Sequence, residues 1–301
     1  MSHRHRILAL AAAAAALIPL TACDRADGAA PAGLTVVATT PEVADFARNV
    51  GGTHVTVTQL IKVGVDPHDY EPSPADIKAV GDAAVVLENG VGLEEWLAPA
   101  ISSAGFRGPV VDASQGVTLR PEDPHIWHNP RNAKVMVGNI AKGLSAADPA
   151  HAADFATNSA AYTAQLDDLD RDNQAAFDAL PAADRKLVTD HDAFGYYVDR
   201  YRLEFVGSVI PSMDTSAELS ARQLTDLVAK IRATGTKAIF TESSLPPKTA
   251  EAIAKQAGVQ VIGGEEALFG DSLGEPGTPE GTYLGAERHN TRVITAALAG
   301  R

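Results

Sequence analysis

The segment from Asp148 to Leu180 constrains this chain more than any other. Asp148 followed by Pro149 is a helix-start signal, Pro181 is a stop signal, and no Gly or further Pro interrupts the residues between them. The spacing predicts one helix over 148–180, roughly 50 Å long at about 1.5 Å per residue. Phe155, Tyr162, Leu166, Leu169, Ala176 and Leu180 recur at helical intervals and form one apolar stripe, while Asp167, Asp168, Asp170 and Asp172 are assigned to the solvent side. Such a helix must pack along its length. A coiled-coil arm is one reading, although the pattern spans too few heptads to support it well; a spine between two lobes is the other.

The N-terminus bears on where the protein works. Residues 1–22 run from a basic start (Arg4, Arg6) through a short apolar core to Leu20-Thr21-Ala22, the pattern of a secretory signal and too short for a membrane span. Cys23 is the only cysteine, which excludes an intramolecular disulfide. Its placement resembles a bacterial lipobox, which implies acylation at Cys23, a tether over 23–33 and an exported protein anchored to the cell membrane. Loss of residues 1–22 removes two of the 25 Lys+Arg and none of the 38 Asp+Glu, so the mature chain would carry −15. That acidity argues against nucleic acid or anionic lipid as a partner and is compatible with cation capture.

The remaining sequence alternates between strand and helix signals. Strands are expected at 34–38, 55–61, 84–87 and 109–112, with helices from Thr40 to Gly51, from Ser73, at 92–104 and at 132–145. Beyond the spine, strands at 186–189, 205–210, 238–241 and 259–262 alternate with helices at 194–202, 220–234, 247–257 and 282–299. Alternation of this kind builds parallel sheets covered by helices. The expected fold is α/β, with one lobe over 34–147, a linking helix over 148–180 and a second lobe over 181–301.

In open parallel sheets, ligands bind beyond the C-terminal ends of the strands. Four loops there carry chemistry: GVDPHDYEPSPADI with His68, PEDPHIWHNPRNA with His125 and His128, TDHDAFGYY with His191, and GGEEALFGDSLGE with Asp271. Taken singly, each histidine is more readily a hydrogen-bonding loop residue than a ligand. Together the loops offer three imidazoles and a carboxylate, a donor set that a desolvated zinc ion requires. His68 and His125 both follow Asp-Pro, which stiffens the backbone before them.

The motifs PHDYEPSPADI, DPHIWHNPRNA, VTDHDAFGYY and LFGDSLGEPGTPEGTYLGAERHNTRVI resemble those of the zinc- and manganese-binding receptors of bacterial ABC transporters, particularly the TroA-like, ZnuA-like and AztC-like receptors. The resemblance spans essentially the whole mature chain. It implies two α/β lobes joined by a long helix, with an extracytoplasmic metal held in the interlobe cleft by His68, His125, His191 and Asp271. It also implies a non-catalytic, monomeric receptor that delivers Zn²⁺ to a permease. Receptors of this kind that prefer manganese usually have Glu at the third ligand position, so His191 favours zinc, with Mn²⁺ as the alternative cargo.

Two departures from the pattern matter. His128-Asn129 stands where relatives often have a hydrophobic residue and an aspartate, which makes His128 a neighbour of the ligands or an auxiliary one. The segment Gly116 to Asp123 is short and lacks the histidine-rich loop of one zinc branch. Glu242, Glu265 and Glu266 are expected partners for the ligands' free ring N–H groups. His54, His151 and His289 are expected to be structural or solvated. A secreted zinc hydrolase would need an open metal position and a nearby base, typically H-E-x-x-H, and that motif does not occur. A structural lipoprotein would bind no stoichiometric metal. A stiff spine is a poor hinge, so release is expected to come from loop order near Asp271, in the Gly-rich stretch 263–277, rather than from wide lobe closure.

Overall fold

The computed structural model describes residues 33–300 apart from Ser216 and Glu218, so the signal segment and Cys23 lie outside the described residues. The described residues form one compact unit. Within it, two four-stranded sheets share one strand order. The first contains β1 (Leu34–Ala38), β2 (Val55–Gln59), β3 (Val85–Glu88) and β4 (Val110–Asp112) in the order β2-β1-β3-β4. The second contains β5 (Lys186–Thr189), β6 (Glu204–Ser208), β7 (Ala238–Phe240) and β8 (Gln260–Ile262) in the order β6-β5-β7-β8. Every pairing between these strands is parallel, so each connection returns through a helix.

Those helices start where side chains can satisfy free backbone N–H groups. Thr40 caps α1 (Pro41–Gly51), with its hydroxyl accepting from Val43 N at 3.3 Å. Ser73 and Asp76 form a capping box on α2 (Pro74–Asp82), and Ser220 and Gln223 form one on α7 (Ala221–Thr234). α3 (Leu97–Ala104) starts later than the sequence suggests, because residues 91–96 form turns instead. Asn129 caps α4 (Pro130–Ala147), and α6 (Gly195–Tyr201) and α8 (Lys248–Ala257) complete the second lobe's crossovers.

The linking helix is shorter than expected. α5 covers Ala152–Asp178, 27 residues, and a 3₁₀ turn over Pro149–His151 precedes it. Asp148 does not enter the helix; its backbone sits at φ −135°, ψ 80°, outside the α region that a following proline disfavours, and its carboxylate bonds His151 Nδ1 at 2.6 Å. Phe155, Tyr162, Leu166 and Leu169 enter the core of the first lobe, and Phe177 and Leu180 enter the second. Ala176 is only half-buried, and the stripe passes through Asn173 and Phe177 instead.

Asp170 is buried rather than solvated. It is met by Arg131 Nε at 3.1 Å from the first lobe and by Arg200 Nε and Nη2, both at 2.6 Å, from the second. One carboxylate on the linking helix therefore fastens both lobes to it.

The last helix, α9 (Tyr283–Leu298), is not confined to the second lobe. Tyr283, Leu284 and Ala286 pack into the first core, whereas Val293, Ile294 and Leu298 pack into the second. Two helices thus run through both cores, which stiffens the junction further than one spine would. No helix among the described residues is long and apolar enough to cross a membrane.

Candidate metal centre

Each of the four loops hangs from the C-terminal end of a strand: β2 leads to His68, β4 to His125, β5 to His191 and β8 to Asp271. Among the described residues, these four make up the one group of His, Cys, Asp or Glu side chains that could hold a metal ion, with one donor atom from each lying within 4.8 Å of the others. His125 Nε2 is 3.2 Å from His68 Nε2 and 3.3 Å from His191 Nε2. Asp271 Oδ2 is 3.3 Å from His68 Nε2 and 3.2 Å from His191 Nε2, and Oδ1 is 3.4 Å from His125 Nε2. A tetrahedron with metal–nitrogen bonds of about 2.0–2.1 Å has edges of about 3.3 Å, so the donors already stand at coordination spacing.

The loops are held in place by groups that the sequence reveals only in part. Asp123 Oδ1 accepts from the backbone N of His125 at 3.0 Å and lies 3.0 Å from its Nδ1. Asp66 Oδ1 accepts from His68 N at 2.9 Å. Both Asp-Pro-His runs therefore use the aspartate as a cap on the histidine two residues later, an Asx-type turn that the shared spacing could have revealed. Asn89 at the end of β3 donates to the Pro124 carbonyl at 2.9 Å and fixes the same loop from below.

Glu242 stands at the end of β7, where Oε1 meets the Nδ1 of His191 at 3.0 Å. With Nδ1 of His125 and His191 engaged by carboxylates, their Nε2 atoms are left for a cation. Gly270 leaves room for this arrangement: a Cβ there would lie 1.9 Å from Glu242 Oε2. Trp127 Nε1 donates to the Gly270 carbonyl at 3.1 Å and seats the Asp271 loop across the cleft.

Burial and charge complete the site. His125, His191 and Asp271 are buried, and apart from the three imidazoles neither Asp271 oxygen has a hydrogen-bond partner. A buried carboxylate is costly unless a cation answers it. Burial alone would raise the Asp271 carboxyl, but the imidazoles of His191 and His125 outweigh it and hold the group well below the usual carboxylate range. Burial would likewise lower His191, yet Glu242 and Asp271 raise it well above its ordinary value. His68 is raised in spite of burial by Asp271, whereas for His125 burial prevails and the ring is lowered. His68 is also the donor on the open side, lining a cleft of about 690 Å³ with Tyr70, Trp96, Glu122, Asp192 and Met213.

The other sequence candidates fall elsewhere. His128 is buried, and its Nδ1 lies 2.8 Å from Glu287 Oε1 rather than in the donor cluster. Glu265 and Glu266 are exposed, and Glu266 pairs with Arg292 at 3.0 Å, so neither supports a ligand. His54 stacks on His151 at 3.9 Å, and His289 bonds the Ala267 carbonyl at 3.0 Å.

Comparison with known proteins finds relatives of this chain. The profile of the family described as "ZnuA: Zinc-uptake complex component A periplasmic" matches residues 36–297. The chain is 36% identical to the manganese-binding lipoprotein MntA of Bacillus subtilis (strain 168), over 96% of this chain and 98% of that protein. It is also 36% identical to the zinc-binding protein TroA of Treponema pallidum (strain Nichols), over 98% and 99%. The solved structure of periplasmic zinc-binding TroA from Treponema pallidum superposes with a TM-score of 0.82 at 34% identity, covering 88% of this chain and 99% of that one.

Proposed function

The chain belongs to the ZnuA family of periplasmic metal-uptake components, and from that premise we propose that it captures Zn²⁺ outside the membrane through His68, His125, His191 and Asp271. It is a metal-binding substrate-binding protein of the ABC transporter class, a receptor family rather than a catalytic one. In this reading the cargo passes to a transporter permease, and acylation at Cys23 keeps the receptor at the membrane surface.

The observation that carries the reading is the donor spacing. Three Nε2 atoms and a buried carboxylate with no partner outside these rings stand 3.2–3.4 Å apart in the pairs His68–His125, His125–His191 and each histidine with Asp271. Three imidazoles favour zinc, since manganese is better served by sites richer in oxygen. Manganese is the second reading because Asp271 presents both oxygens to the donor cluster, which admits a five-coordinate N₃O₂ set, and because several relatives are named for that metal.

Metal analysis of untagged mature protein, followed by competition between Zn²⁺ and Mn²⁺, tests the proposal. Zinc should be retained against a large excess of manganese, and His191→Ala should weaken zinc binding by orders of magnitude while leaving the fold intact. Preferential manganese retention would replace the zinc reading. Absence of stoichiometric metal binding would overturn the receptor reading itself.

A further inference from the structure

We propose that His128 is a positioning residue whose ring latches the two lobes beneath the metal site and slows metal release. The inference rests on the receptor reading and concerns how the same site lets go of its cargo.

His128 lies three residues after His125, and Phe194 lies three residues after His191. The two rings stack, with centroids 4.4 Å apart and planes 22° apart. The stack therefore joins the two histidine loops, one from each lobe, three residues beyond each ligand histidine. Both side chains are fully buried. Tyr197 meets the edge of the His128 ring at 6.4 Å, and Phe194 packs into the second lobe's core.

Glu287 fixes the plane of the His128 ring through its contact with Nδ1. It sits on α9, the helix that enters both cores, so the anchor cannot follow one lobe alone. Yet His128 Nε2 and Glu287 Oε2 are buried without partners. A polar pair with unmet bonds is an expensive way to fill a core, and an apolar pair of similar volume would serve stability as well or better. The cost makes sense if the ring is needed at one position and in one plane. His125 and His191 cannot move apart without parting this stack, so it stands in series with loss of the metal.

Three other cross-lobe ties near the metal have a different character. Thr215 Oγ1 donates to Asp66 at 2.6 Å, Gly64 N to Ser272 Oγ at 2.7 Å, and Trp127 to the Gly270 carbonyl. Each of these is a single hydrogen bond, whereas the stack is a buried ring contact. A second buried ring, Tyr196, also crosses from the second lobe into the first core and donates to the Asp123 carbonyl at 3.2 Å, but it touches only the His125 loop.

The test uses the full mature chain loaded with zinc, with release into excess chelator followed by stopped flow and association measured separately. Glu287→Met removes the buried charge, and in that background His128→Phe is compared with His128→Ala. The alanine variant should release zinc at least tenfold faster than the phenylalanine variant, which keeps a ring in the stack, with association within threefold throughout. Phe194→Leu, made with His128 and Glu287 intact, should also release at least tenfold faster, and melting of the metal-free proteins separates this from general destabilisation. Equal release from the phenylalanine and alanine variants, unchanged release from Phe194→Leu, or an effect confined to association would overturn the latch. A wild-type protein that binds no zinc would instead overturn the receptor reading.

Discussion

One oxygen of Glu242, Oε1, meets both the backbone nitrogen of His191 at 3.1 Å and its ring Nδ1 at 3.0 Å. Asp123 makes the same double contact with His125 from within its own loop. Two histidines, one in each lobe, are thus oriented by one device with carboxylates of different origin. Glu242→Gln keeps the shape but removes the charge that makes the His191 ring more basic. Zinc affinity in a chelator competition at pH 7.5 should fall about 10–100-fold. An unchanged affinity would show that Glu242 contributes packing alone.

Gly270→Ala should reproduce that loss without touching a donor. The new methyl would fall on Glu242 Oε2 and drive the carboxylate away from His191. Because both substitutions act through the same contact, their effects on zinc affinity should be strongly non-additive in a double-mutant cycle. Additive losses would mean that Gly270 serves the Asp271 loop independently of Glu242.

Protons should compete with the metal over a range that starts above the ordinary imidazole value. In the metal-free site His191 is held well above 6.5 and His68 is also raised, while Asp271 stays ionised. Each raised imidazole must lose its proton before it can bind, so the protonated form gains as pH falls and zinc affinity drops with it. Apparent affinity should fall as pH falls, beginning above the ordinary imidazole value of about 6.5, with proton release on binding. Competition titrations at pH 8, 7, 6 and 5 would check this. A flat profile would be incompatible with a site made of these histidines.

The strand and helix alternation was legible because β-branched runs, capping residues and Gly stops agree along the chain, and the strand-end loops marked His68, His125, His191 and Asp271 as one set. What the sequence left hidden was partnership across distance. Asp170 looks like one of several acidic surface residues, and only folding shows Arg131 and Arg200 converging on it. The terminal helix carries an ordinary amphipathic pattern, which does not reveal that its two halves serve different cores. Pro149 reads as a helix start, whereas its effect on Asp148 produces a break between α4 and α5. Asp123 was within reach, since Asp-Pro-His occurs twice and a side chain two residues before a backbone N–H is a familiar cap.

Glu42 offers a test of what buried charge costs this fold. It lies in the first turn of α1, and both of its carboxylate oxygens are buried, with only its own backbone N–H and Thr40 as hydrogen-bonding groups that offset the burial, and neither in good hydrogen-bond geometry. Burial, with a further contribution from Asp271, raises its pKa from 4.5 to about 7. Between those values the native state holds a proton that the unfolded chain has lost, so stability falls as pH rises through this window, and the full penalty applies above it. Glu42→Gln removes the penalty. It should stabilise the metal-free protein by about 3 kcal/mol at pH 8, since each factor of ten in proton affinity is worth roughly 1.4 kcal/mol, and by almost nothing near pH 4. Glu94 is a useful contrast because burial also raises it to about 7, yet its oxygens accept from Thr39 Oγ1 and Asn89 N, both at 2.7 Å, and from Gly90 N at 3.1 Å. Glu94→Gln would exchange an acceptor for a donor among those contacts and should destabilise at both pH values. Denaturant unfolding of the two variants with metal removed decides the matter; a Glu42→Gln effect independent of pH would mean that the carboxyl is not a charged burden in the native state.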